Sequence, residues 1–74
     1  MTPAETRLWS GLCADVDALV AATPEQPLAS LPRWDSLAVL LVLTHAEQQH
    51  GRTLTGAQVR ACRTGRDLLT LLSS

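Results

Sequence analysis

The sequence has no phenylalanine and no tyrosine, and Trp9 and Trp34 are its only aromatic residues. Leucine, valine and alanine must therefore supply almost all of the packing, and each buries less surface than an aromatic ring. Lysine is also absent, and the six basic residues are all arginine. Arg52, Arg60, Arg63 and Arg66 fall late in the chain with no aromatic among them. They lack the stacking partners of a nucleic-acid surface, so a solvated face is expected and no nucleic-acid partner. No apolar run approaches the roughly 18 residues that a membrane span needs, and no signal-peptide pattern is present. The expectation is a cytoplasmic chain with no membrane partner. Cys13 and Cys62 lie far apart and fit no zinc or redox spacing, so both are expected to be reduced thiols acting as small buried hydrophobes. No stretch alternates in strand fashion with β-branched residues, which points away from a sheet.

What is present defines one small domain, residues 1–74, with 46% apolar and 18% charged residues. A chain of this length buries only roughly 60% of its unfolded surface, so its core is marginal. Charge is unevenly spread. Glu5, Asp15, Asp17, Glu25, Asp35 and Glu47 face only Arg7 and Arg33 in the first two thirds, whereas the remainder holds four arginines against Asp67.

Helix signals are clear at four places. Thr2-Pro3-Ala4-Glu5 starts a helix, with Thr2 as cap, proline where its missing N–H costs nothing, and Glu5 at the capping-box position. Leu8, Trp9, Leu12, Cys13, Val16, Leu19 and Val20 then recur at helical spacing, and Thr23-Pro24 predicts an end near Ala22. Residues 23–35 carry Pro24, Pro27 and Pro32 and read as a long loop, pinned to the core by Leu28, Leu31 and Trp34. Asp35 is the expected N-cap of a second helix over 36–50, ended by Gly51. Thr55-Gly56-Ala57-Gln58 opens a short helix through about Cys62, and Thr64-Gly65-Arg66-Asp67 opens a terminal helix with Leu68, Leu69, Leu71 and Leu72. The expected fold is an all-α four-helix bundle: three longer helices, a short third one, and a long first connection.

Within this frame Ser36 stands in the first turn of the second helix, at the end of the loop and at the surface. First-turn N–H groups and the helix dipole favour an anion there, so the hydroxyl is well placed to carry a phosphate. Asp35 offers a hard carboxylate oxygen to a magnesium ion arriving with a phosphoryl donor. The plainer alternative is that Asp35-Ser36 only starts a helix. No catalytic set is evident. His45 and His50 are five positions apart and are not expected to share a face as metal ligands would, so no metal site is expected and both read as polar helix surface, with His50 half-buried at most.

Asp35-Ser36-Leu37, in the form Trp34-Asp35-Ser36-Leu37, resembles the attachment motif of the phosphopantetheine carriers, the acyl carrier proteins and related peptidyl carriers. The resemblance extends over nearly the whole chain, through the glycine-terminated second helix to the closing segment Ala61–Leu69 with its threonine turn. It implies a four-helix carrier fold. It also implies that Ser36 carries 4'-phosphopantetheine, donated from coenzyme A by a phosphopantetheinyl transferase. The thiol of that arm would hold acyl or aminoacyl groups as thioesters for an acyltransferase or adenylating loading enzyme and for a ketosynthase or other synthase. The chain itself would be a non-catalytic monomer in polyketide, fatty-acid or related synthesis.

The chain departs from that pattern in three respects. Its second helix has a single acid, Glu47, in place of the carboxylates that carriers show to basic partners. Its apolar stretch is expected to present a docking patch of Val39, Leu41 and Val42 with Trp34, and the alternative is that these residues are core. His50 stands where many carriers have a large apolar residue. Arg60, Arg63 and Arg66 either pair with the acidic first half or face an acidic partner. A peptidyl carrier of a nonribosomal pathway, or an unmodified helical interaction module, are the remaining alternatives. No residue identifies the cargo.

Overall fold

The best-marked helix is the second. In the computed structural model, which describes residues 2–73, α2 runs from Ser36–His50, as the sequence predicts. Its start is fixed by the Asp35 carboxylate, which accepts a hydrogen bond from the Ala38 N–H at 3.1 Å. Its end is fixed by Gly51, whose φ of 63° lies in the left-handed region that glycine enters at no steric cost. Around it are α1 (Pro3–Asp15), α3 (Gly56–Arg60) and α4 (Gly65–Ser73), and the described residues include no strand. The fold is small and all-helical. None of its helices is long and apolar enough to cross a membrane, among the residues described.

The caps mostly follow the sequence. The Thr2 hydroxyl accepts from the Glu5 N–H at 3.2 Å, and the Thr55–Gln58 capping box is complete in both directions. At α4 only one half of the expected box forms. The Asp67 carboxylate accepts from the N–H groups of Arg63 and Thr64, but the Asp67 N–H bonds to the Thr64 carbonyl and not to its hydroxyl. That carboxylate still satisfies donors that a helix start leaves unpaired.

The first helix is shorter than expected. It stops at Asp15, Val16 is extended (φ −121°, ψ 97°), and Asp17–Leu19 forms a separate 3₁₀ turn. After the break Val16 and Leu19 are both fully buried in the core, and the Cys13 thiol donates to the Leu19 carbonyl at 3.3 Å. Val20, assigned by spacing to the buried face, is turned out to 66% exposure.

The core is aliphatic, as the missing phenyl rings require: Leu12, Val16, Leu19, Val42, Val59 and Leu68 are all fully buried. Leu28 and Leu31 pin the proline-rich connection to it, with Trp34 packed half-buried beside them. The connection is also clamped by backbone to the last helix. The Leu28 N–H donates to the Arg63 carbonyl at 2.8 Å, and the Arg66 N–H donates to the Pro24 carbonyl at 2.7 Å.

Arg66 adds an electrostatic tie. Its guanidinium donates to Glu5 at 2.6 Å and to Glu25 at 2.5 Å, joining α4 to α1 and to the connection. Pairing with the acidic first half is therefore realised for Arg66, while Arg60 and Arg63 lie exposed. Hydrogen bonds from Arg66 hold both carboxyls below their ordinary value of 4.5. A depressed folded-state pKa contributes stability that is present above the unfolded value and lost as pH falls through the folded one. The stability gap between wild type and Arg66→Gln is accordingly expected to close as pH drops below about 4.5, and to shrink in high salt. A gap that stays constant down to acid pH, measured by urea denaturation, would show that Arg66 acts through packing alone.

Candidate functional site

The site is built from the end of the connection and the start of α2. The Asp35 backbone is extended (φ −137°, ψ −168°), and its carbonyl already accepts the first helical bond, from the Val39 N–H at 3.1 Å. With the Asp35 side chain engaged as cap, Ser36 is the first helical residue, and it is exposed. Among the described residues no group lies at hydrogen-bond distance from its hydroxyl. The oxygen is thus open to solvent at the positive end of a fifteen-residue helix.

The surroundings correct the expected docking patch. Val39 and Val42 are 5% and 0% exposed, so they belong to the core and not to a partner surface. Leu41 and Trp34 are half-buried. The apolar residues that α2 does show to solvent are Leu37, at 60%, and Leu40, at 55%. Ser36, Leu37, Leu40, Thr44 and Glu47 follow one another at helical spacing, all exposed, so Ser36 stands at the head of a solvent-facing stripe. Beside it a shallow hollow of about 200 Å³ is bordered by Asp17, Arg33, Asp35, Leu37 and Leu41. The Arg33–Asp17 pair across it is 3.7 Å long, and both side chains are more than two thirds exposed, so it contributes little.

The far end of α2 differs most from expectation. His45 is not polar surface: it is 3% exposed, and its Nδ1 lies 2.6 Å from Oδ2 of Asp15 at the end of α1. Nor do the two histidines stay apart. His50 Nε2 is 3.3 Å from His45 Nε2, with ring centroids 5.1 Å apart and edge to face. Spacing describes where Cα–Cβ bonds point, and two imidazoles at the end of a helix are long enough to close the gap. Burial, then the neighbouring His45 and Arg52, lowers the pKa of His50 from 6.5. A cleft of about 530 Å³ opens against this pair, bordered by Arg7, Leu8, Gly11, Gln49 and Ser73. These histidines lie nine and fourteen positions from Ser36 along the helix axis, roughly 13–21 Å away, too far to activate its hydroxyl.

Cys13 and Cys62 are free and half-buried, and burial pushes both above their ordinary value, with Asp67 adding to the effect at Cys62.

The class that the coordinates define is a small all-α domain with one exposed serine at the mouth of its longest helix. No protein-family model matches the chain, and no match was found among curated proteins or among solved structures.

Proposed function

We propose that this chain is an acyl or aminoacyl carrier whose Ser36 bears 4'-phosphopantetheine, in a four-helix bundle of carrier type. The observation that carries the reading is the exposed Ser36 hydroxyl, without a partner among the described residues, on the first turn of α2, inside Asp35-Ser36-Leu37 and after a long anchored connection. A flexible arm needs an open exit, and the serine has one. In the transfer, the Ser36 oxygen bonds to the pantetheine-side phosphorus of coenzyme A, the adenosine bisphosphate half leaves, and a base of the transferase takes the hydroxyl proton. The first-turn N–H groups favour the new phosphodiester anion, and Asp35 supplies an oxygen toward the magnesium that accompanies the donor. The bound arm supplies a thiol for thioester chemistry, while the chain contributes presentation: a capped helix start, and Leu37 and Leu40 as apolar contacts for partner enzymes.

The test is intact-mass measurement of the full chain after incubation with coenzyme A, magnesium and a broad-specificity phosphopantetheinyl transferase. The expected result is complete gain of one phosphopantetheine in wild type and none in Ser36→Ala. A chain that stays unmodified while a control carrier is converted would identify Asp35-Ser36 as a helix cap only, and the protein as a helical interaction module.

A further inference from the structure

The His45–His50 pair has a geometry that the carrier reading does not use. Two imidazole Nε2 atoms face each other at 3.3 Å. A tetrahedral metal 2.0–2.1 Å from each of two nitrogens holds them about 3.3 Å apart. The Asp15 carboxylate lies 2.6 Å from His45 Nδ1 and can only accept there, so Nε2 is the nitrogen that His45 turns toward His50. This is the carboxylate–histidine arrangement that orients metal-ligating imidazoles. Because α1 supplies Asp15 and the core covers His45, the buried ring has little freedom to turn away.

We propose that His45 Nε2 and His50 Nε2 together bind one late first-row divalent cation, of the zinc or nickel kind, at the edge of the cleft between α1 and α2. Imidazole pairs select such cations over magnesium or calcium, which require oxygen donors. The neutral His50 ring takes its Nδ1–H tautomer, so both inward nitrogens donate lone pairs and the contact between the rings is replaced by the ion. No group of three or more His, Cys, Asp or Glu gathers among the described residues, so the remaining positions fall to water or a small ligand from the cleft. Arg7 borders the same cleft and opposes a bare dication, which favours an anion among those completing ligands. The site is therefore open and exchangeable, unlike a closed structural zinc cage.

The experiment titrates the untagged full chain with Ni²⁺ and, separately, Zn²⁺ at neutral pH, by calorimetry and by NMR of the histidine ring resonances. The expected result is saturation at one ion per chain, with ring shifts at both His45 and His50. His50→Ala is expected to weaken binding at least tenfold while its circular dichroism stays that of wild type. Asp15→Asn, which removes the orienting charge and leaves the ligands, is expected to weaken binding by about 10- to 100-fold. A Cys13→Ala/Cys62→Ala double variant is expected to bind as wild type does, and Mg²⁺ not to compete. Unsaturable binding, equal affinity in wild type and His50→Ala, or loss of binding in the cysteine variant would each overturn the site and leave the pair as a hydrogen bond. None of these outcomes bears on Ser36.

Discussion

Leu12→Ala is expected to lower the unfolding free energy by about 2–5 kcal/mol, the range for deleting a buried leucine and leaving a cavity. The effect is large relative to the whole. A 74-residue domain has about 4–11 kcal/mol of stability to lose. Leu12 is also the only fully buried side chain on α1, whose other large apolar residues, Leu8 and Trp9, are half-buried, as is Cys13. No second fully buried side chain compensates on that helix. The melting temperature should fall by roughly 8–40 °C, taking about 4–8 °C for each kcal/mol in a domain this small. Leu40→Ala is the matched comparison: the same atoms are removed from a residue 55% exposed, and the loss should stay near 0.5 kcal/mol. Comparable losses in the two variants, by thermal and urea unfolding, would contradict the assignment of core and surface.

The second large effect comes from adding atoms. Gly65 opens α4 where it meets α1 and the connection, and a Cβ there would lie 2.5 and 2.6 Å from the Trp9 ring and 3.0 Å from the Pro24 Cα. Its backbone is unstrained, so close approach is what demands glycine. The Trp9 ring is half-buried and rigid, and Pro24 is buried. Relief comes from swinging the Trp9 ring out of its packing or from parting α4 from it and from Pro24, and the second pulls on the 2.7 Å bond from the Arg66 N–H to the Pro24 carbonyl and on the Arg66 ion pairs. Gly65→Ala is therefore expected to cost about 1–3 kcal/mol, the range for overpacking, against a helix-propensity gain of at most about 1 kcal/mol. Gly11→Ala provides the contrast. Its nearest neighbour would be the His45 ring at 3.7 Å, an ordinary contact, so inside α1 it should stabilise by about 0.5–1 kcal/mol. Equal signs for the two variants in a denaturation series would rule out the close packing at Gly65.

Where a local chemical rule decides an outcome, the sequence expressed it. The bounds of α2 follow from a carboxylate cap and a left-handed glycine, and the exposure of Ser36 follows from its place after Asp35. Where tertiary burial decides, local rules were insufficient, and the end of α1 is the clearest case: apolar periodicity continues through Val20 while the chain breaks at Val16. The facing of α2 lies between these. Seven apolar residues from 37 to 43 carry no polar mark to fix the phase. The following turns do carry one. Thr44, Glu47 and Gln48 are polar and exposed, and stepping back by four and seven positions reaches residues 37 and 40, which are exposed, and 41 and 43, which are half-buried. The inner stripe of Ala38, Val39, Val42, His45 and Ala46 is hidden because a histidine completes it. Nothing local announces that this histidine is buried, since its partner Asp15 is thirty residues away in the chain.

The backbone clamps between the proline-rich connection and the start of α4 also set an order in time. Helix α2 can coil as soon as its own residues exist. The backbone clamps on the segment leading into it come from Arg63 and Arg66, which are synthesised some thirty to forty residues later than their partners. While translation proceeds, at about 5–20 residues per second, the serine therefore rides on a slack tether. The segment ahead of Ser36 is braced at its backbone only once α4 has been made.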